Sequence, residues 1–423
     1  MLIDALVFSL VKSGCVQHFW EKLDAQTDAS LGIASSARPF MVASRFVYKP
    51  QPSLVIVAGE ENAYTFTRSL ASYIGTQRVF HFPQRRDNPF SDQAASASVC
   101  ARQLQAAHLL ASNAPCIVVA SAQSLVRLLP SCESKRATPV VLSSNQTLDS
   151  LEHFLEMLLD MGYKRAPHAD EPGSFSQAGG IIDVFPGQLE YPVQLDFFGD
   201  TLEEIRKIVP STGQTINQLQ SVEIYPVRFL AQNTASRTPL MHALKRPART
   251  NQELRRALEA LESGIPVPGE DKLLSFAYDT PATLGDYATR LCLTTLIEPR
   301  ALFDDASRAF EAAQALVAGS QLPVSCFART PQQVSFGKGV RATYMSLMRA
   351  HAHLDDELRI LRPDVAGDPE KLFARLHTLL DSGTKIVFSI PHYRARADMK
   401  LALVDHELPI YEADVQDLSL IHI

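Results

Sequence analysis

The sequence predicts an α/β fold: parallel-sheet lobes interrupted by an inserted α+β domain with an antiparallel sheet, then a further small α/β domain. Three observations carry this expectation. Continuous apolar runs of strand length, "LVIV" (54–57) and "CIVV" (116–119), alternate with helical stretches, as buried parallel strands joined by crossover helices do. From residue 173 the text changes to successive extended runs broken by Gly, Pro and Gly-Asp, the signature of an antiparallel meander. From residue 366 the helix–strand alternation restarts.

Taken in order, residues 1–24 read as an amphipathic N-terminal helix. Leu2, Ala5, Leu6 and Leu10 share one face, and Phe19, Trp20 and Leu23 continue the pattern. Residues 25–135 form the first half of a lobe. There "LGIASSARPFMVASRFV" is a turn entering a helix, "PSLVIVAG" a buried strand, and "ENAYTFTRSLASYIG" a helix stopped by Gly75. "QRVFHFP", the helix "AASASVCARQLQAAHLLAS", the strand "APCIVVAS" and the short helix "AQSLVRLLP" complete it. Residues 136–228 are the inserted domain. It opens with the strand "TPVVLSSNQTL" and a helix carrying Leu151, Phe154, Leu155, Leu158 and Leu159 on one face. Strands "SFSQAGGIIDVFP", "YPVQLDFFG", "TLEEIRKIV" and "SVEIYPVRFL" follow. Residues 229–320 supply the second half of the lobe around the strand "LCLTTLIE". Residues 321–365 lack a steady period and are expected as a linker containing one helix. Residues 366–423 are the small α/β domain, expected to be truncated, since the closing "LSLIHI" reads like a translated sequencing adapter.

Bulk properties exclude several classes. A chain of 423 residues is expected to hold two to four domains. Its formal net charge of −6 argues against wrapping nucleic acid or an anionic membrane by bulk attraction. Asp4 stands where a signal peptide would be positive, and no apolar run reaches the ~18–20 residues of a membrane helix, so a cytoplasmic location is expected. The six cysteines form no CxxC and no zinc-ligand spacing, which predicts scattered reduced thiols.

No motif of catalytic chemistry stands in the sequence. The strand–loop–helix segment 32–40, "GIASSARPF", stands where a Walker loop would cradle phosphate. Ala37 replaces the second glycine, Arg38-Pro39 replaces Lys-[ST], and Pro39 removes an amide donor. The site is therefore a degenerate P-loop. In "TTLIEP", Ile297 occupies the place of the Asp of a magnesium-holding acid pair, leaving Glu298 as an expected cap of the next helix. His351 and His353 have i,i+2 spacing inside a helical text, which does not aim both at one metal. Basic clusters at Arg85-Arg86, Lys245-Arg246-Arg249, Arg255-Arg256 and Arg394-Arg396-Lys400 lack interleaved aromatics and read as solvated surface. No catalytic residue, metal site or cofactor is expected in this segment.

The segment 162–215 resembles the module shared by UvrB and the transcription-repair coupling factors. The resemblance rests on Gly162, Tyr163, Arg165, Gly173, Phe175, Ser176, Gly179, Gly180, Ile181, Ile182, Asp183, Phe185, Pro186, Pro192, Phe197, Phe198, Gly199, Asp200, Ile205 and Arg206. The flanks "RVFHFPQRRDNPFSD", "CIVVASAQSLVRLLP" and "LIEPRALFDDASRAFEAA" are similar too. It covers residues ~20–320 well and 370–413 loosely. The degenerate loop selects the coupling-factor family, whose N-terminal region keeps the RecA-like, UvrB-like fold without the Walker loop.

The resemblance implies a platform that recruits the excision-repair protein UvrA to stalled RNA polymerase. Contacts with RNA polymerase and double-stranded DNA, and an ATP- and magnesium-dependent translocase motor, would belong to regions beyond residue 423. Candidate UvrA contacts are Tyr163, Arg165, Glu204 and Arg206. Gly179 and Gly180 are expected to bend the strand, Asp183 to bond a turn, and Phe185, Phe197 and Phe198 to fill faces of the sheet. Three charged family positions have changed, to Ser174, Ala178 and Gln214, which bears on UvrA affinity. The competing readings are a UvrB-like ATP-dependent repair protein and an autonomous DNA-binding module.

Overall fold

A computed structural model describes residues 7, 14–91, 95–265, 267, 269–318, 320–346, 354, 356–358, 368–383, 386–389, 393–415 and 418–422. Helix α1 (Gly14–Asp24) leads to β1 (Ala29–Ile33), α2 (Arg38–Tyr48), β2 (Ser53–Val57), α3 (Glu60–Ile74), β3 (Val79–Phe82), α4 (Ala97–Ala111) and β4 (Ile117–Ser121). The inserted part holds β5 (Val140–Ser143), β6 (Gln146–Thr147), α5 (Leu151–Asp160), β7 (Lys164–Arg165), β8 (Ser174–Ala178) and β9 (Ile181–Val184). It continues through β10 (Val193–Phe198), β11 (Thr201–Ile208), β12 (Thr215–Leu219) and β13 (Ser221–Ile224). Helices α6 (Thr234–Leu244) and α7 (Gln252–Glu262) precede β14 (Leu293–Ile297), α8 (Pro299–Leu316), β15 (Arg341–Met345) and β16 (Asp356–Leu358).

The lobe is built on one seven-stranded sheet, order β16-β1-β15-β14-β2-β4-β3, with every pairing parallel. Both faces must then be covered, and the fully buried runs of β2 and β4 meet that demand. One face packs Leu31, Ile33, Val55, Val57, Ile117 and Val119 against Phe19 and Trp20 of α1 and Met41 of α2. The other sends Leu54, Ile56, Val118 and Ala120 into a core shared with Leu104 of α4.

That second core does not stop at the lobe. It runs on through Phe154, Phe175, Ile182, Val184, Leu195, Phe197, Leu202 and Ile205 of the inserted domain. The domain's sheet has the order β12-β11-β10-β9-β8-β7, and all its pairings are antiparallel except β7 with β8. Its inward positions alternate with outward ones, as a one-sided sheet requires. Two glycines bring it hard against α4. A Cβ on Gly187 would stand 2.7 Å from the Ala97 carbonyl oxygen, and one on Gly173 would stand 2.8 Å from the Ala97 Cβ.

Three expectations change. Residues 321–365 are no linker, because β15 and β16 lie in the parallel sheet on either side of β1. Residues Ala29–Ile33, which overlap the start of the stretch 31–47 expected as a turn entering a helix, form strand β1. The "AQSLV" segment is a 3-10 turn (Ala122–Val126), not an α-helix. Beyond the lobe, α9 (Pro369–Asp381) and α10 (Tyr393–Asp405) accompany β17 (Val387–Ser389), β18 (Tyr411–Val415) and β19 (Leu418–His422) in a small antiparallel sheet. His351 and His353 lie outside the described residues. Among the described residues, no helix is long and apolar enough to cross a membrane.

Candidate docking face and the closed edge of the lobe

Strand register builds a polar ladder on the outer face of the inserted sheet. Asp183 of β9 faces Gln194 of β10, and Gln194 faces Arg206 of β11. The Gln194 Nε2 donates to Asp183 Oδ1 at 3.0 Å, and an Arg206 guanidinium nitrogen donates to Gln194 Oε1 at 3.3 Å. The same guanidinium also holds Asp196 at 2.8 Å and Glu204 at 2.7 Å. Its bond to Glu204 raises the Arg206 pKa above the ordinary arginine range. Three carboxylates against one guanidinium leave this face acidic. The side chains are partly exposed, so solvent screens the ion pairs and their role is to fix geometry.

Beside the ladder stand two exposed apolar side chains. Ile181 pairs in register with Asp196, and Phe198 follows at the end of β10, 78% exposed. Phe198 was expected to fill a face of the sheet; instead it points outward. Its parity explains this, since Gln194, Asp196 and Phe198 share the solvent side while Leu195 and Phe197 face the core. Phe197 is buried and packs beside Phe154, with ring centroids 6.2 Å apart. Phe185 is also buried.

Tyr163, expected as a surface contact, is 2% exposed. Its hydroxyl donates to the Tyr225 carbonyl at 2.8 Å, and burial pushes its pKa well up, so it braces the domain from inside. Arg165 is exposed but lies on β7, four strands or about 19 Å from β11, and donates to Gln177 at 2.9 Å. Gln177 pairs with the inward-facing Ile182, so Arg165 is not brought to the ladder. Of the substituted positions, Ser174 is buried and donates to the Glu171 carbonyl, while Ala178 and Gln214 are exposed.

The glycine pair works through two mechanisms. Gly179 has φ +64° with open space around it, whereas a Cβ on Gly180 would meet the Phe197 carbonyl oxygen at 2.4 Å. Gly180→Ala is expected to push β9 from β10 and cost about 1–3 kcal/mol. Gly179→Ala should cost only about 1 kcal/mol, from backbone strain. Urea midpoints of the two variants check the ranking, and equal midpoints would contradict the contact argument.

The opposite feature is the carboxyl edge of the parallel sheet, where such folds take ligands. Here the chain's own side chains fill it. Glu298 adopts φ +56° at the start of α8 yet makes no side-chain cap, contrary to the capping role expected for it. Its Oε1 instead accepts from Arg38 at 2.5 Å and from the Ser346 amide at 2.8 Å. Arg38 and Glu298 thus neutralise each other. Glu60 accepts from the Gln84 amide at 2.8 Å and from the Ser121 hydroxyl at 2.7 Å. Burial opposes its ionisation, but the bonds from His81, Ser121 and Gln84 outweigh that and hold its pKa below the usual carboxylate range. Burial pushes the Cys116 thiol up to about 11 and Cys292 to about 12, so neither is an available nucleophile at neutral pH. Among the described residues, no group of three or more His, Cys, Asp or Glu could hold a metal ion.

Comparison with known proteins points one way. Residues 140–229 match the family described as the UvrB interaction domain. The transcription-repair-coupling factor of Myxococcus xanthus is 28% identical over 269 residues, 60% of this chain and 22% of that protein. Those of Bacillus subtilis (strain 168) and Staphylococcus aureus (strain bovine RF122 / ET3-1) are 25% and 23% identical, covering 63% and 60% of this chain. The chain thus spans only 22% to 24% of the length of these relatives.

Proposed function

The chain is a relative of the transcription-repair-coupling factors over about 60% of its length, with a UvrB interaction domain inserted in it, and from that premise we propose that it docks UvrA through the outer face of β9–β11. The observation that carries this reading is Phe198, a large aromatic held out in water beside a pinned acidic ladder. An exposed aromatic anchor next to oriented charge is the make-up of a protein-binding hot spot. The acidic ladder suits a basic patch on the partner. In a longer protein this segment would recruit UvrA to stalled RNA polymerase, while a separate region supplies the ATP-driven motor on double-stranded DNA. The self-paired Arg38 and Glu298 favour a lobe that acts as scaffold over one that hydrolyses ATP.

UvrA from the same organism, titrated against the immobilised chain, tests the reading. Wild type should bind with an on-rate that falls as salt rises. Glu204→Arg, which turns one carboxylate of the ladder into a cation, should weaken binding by about tenfold or more. Equal affinity of wild type and variant would remove the ladder from the interface.

A further inference from the structure

Asp305, on the first turns of α8, is 5% exposed and reaches across the carboxyl ends of two neighbouring strands. Its Oδ2 accepts from the Gly59 amide at 2.9 Å, where β2 turns into α3, and from the Gln123 amide at 3.1 Å, just past β4. Its Oδ1 accepts from Arg308 at 3.4 Å. Two backbone donors from separate elements and one guanidinium thus converge on a single oxyanion. One of those donors belongs to the start of a 15-residue helix, whose exposed amides and dipole favour negative charge.

Next to this cradle lies a cavity of about 500 Å³, lined among others by Arg85, Arg86, Gln123, Arg127 and Arg308. Gln123 and Arg308 belong to both the cradle and the cavity wall. The guanidiniums of Arg85 and Arg127 are held by Asp271 through their terminal nitrogens, while their Nε atoms are buried without a hydrogen-bond partner. Asp87 lies on the same wall, and Arg85 and Arg127 are already paired with Asp271, so the cations that face a ligand here are Arg86 and Arg308. The cavity is several times larger than the carboxylate group seated beside it.

We propose that this crevice is a site for phosphate-type oxyanions that the chain occupies with its own carboxylate, Asp305. The inference rests on this geometry alone and stands apart from the docking of UvrA. Asp305 satisfies the donors that a bound phosphate would take and places a negative charge where a second anion would have to sit. In the native chain the crevice is therefore closed to free phosphate, and its occupant is a structural staple joining α8 to β2 and β4. Removal of the carboxylate opens an oxyanion site with room for a second phosphoryl group in the cavity.

The test compares thermal melts of the full chain, wild type and Asp305→Ala, in inorganic phosphate, pyrophosphate and chloride at matched ionic strength. Asp305→Ala should melt lower than wild type in chloride. Phosphate should raise its Tm by about 3 °C or more, with pyrophosphate effective at lower concentration. Wild type should not distinguish the three salts. An equal response of both proteins to phosphate, or none in the variant, would overturn the proposal. Should Asp305→Ala fail to fold in chloride, refolding yield becomes the readout. Recovery with phosphate and not with chloride supports the assignment, and failure in both refutes it.

Discussion

Replacing Asp271 with alanine should lower the stability of the lobe by about 3–5 kcal/mol, read as a drop in urea midpoint at pH 7. Asp271 is 1% exposed, and its Oδ2 accepts from Arg85 at 2.7 Å and from Arg127 at 2.6 Å. Arg85 also donates to the Leu128 carbonyl and stacks 4.5 Å above the Phe229 ring, while Arg127 lies 4.9 Å from the Phe327 ring. The aromatic faces and carbonyl would remain after the substitution, but Asp87, at 3.7 Å from Arg127, would be the one carboxylate left beside the pair, and none would pair with Arg85. Leaving a buried cation uncompensated is what makes breaking such a pair costly.

The pH dependence has a defined sign. Burial opposes ionisation of Asp271, but Arg85 and Arg127 outweigh it and hold its pKa below the ordinary aspartate value. Its contribution is therefore complete above about pH 4 and is lost as pH falls through the lowered pKa. Glu270 beside it goes the other way, since burial outweighs Arg228 and raises its pKa. The difference between wild type and Asp271→Ala isolates the aspartate, and that difference should shrink in acid. A stability loss under about 1 kcal/mol at pH 7 would show that the arginines are hydrated rather than paired.

The second large effect concerns binding. Phe198→Ala should weaken capture of UvrA by about 30-fold or more, the loss typical of removing an aromatic anchor worth at least ~2 kcal/mol. Because this side chain is exposed, its removal should leave the urea midpoint within about 0.5 kcal/mol of wild type. The split between affinity and stability is the diagnostic. Affinity unchanged with Phe198 gone would dismiss the outer face of the sheet as the docking site.

Much of this organisation could be read from residue order, and the failures have physical causes. Apolar runs such as "LVIV" and "CIVV" announced β2 and β4 because strands buried on both faces need no alternation. Strand β1, "ASLGI", was passed over because Ala, Ser and Gly carry little strand preference, and only packing against α1 and the neighbouring strands holds it extended. Strand β15, "RATYM", suffered similarly: Ala342 and Tyr344 are buried by tertiary contact, within a text that has no lasting period.

The site was half legible. Arg206 and Glu204 do meet, two positions apart on one strand. Tyr163 misled because a tyrosine next to a glycine reads equally as a rim residue or an internal brace, and only its bond to Tyr225 decides. Phe198 misled because "FF" looks doubly apolar, although period-two counting from Gln194 and Asp196 would have sent it outward. Apart from Arg308, the donors to the carboxylates of Glu298 and Asp305 come from 48 to 260 positions away, which no local pattern encodes.

The glycine contacts of Gly173 and Gly187 on α4, with the apolar interior that crosses from lobe to insert, also bear on how such proteins can be re-engineered. Residues 140–229 are not a cassette to be cut out and transplanted. Severed from α4, they would bare an apolar underside to solvent, so a chimaera has to carry the helix along with the insert.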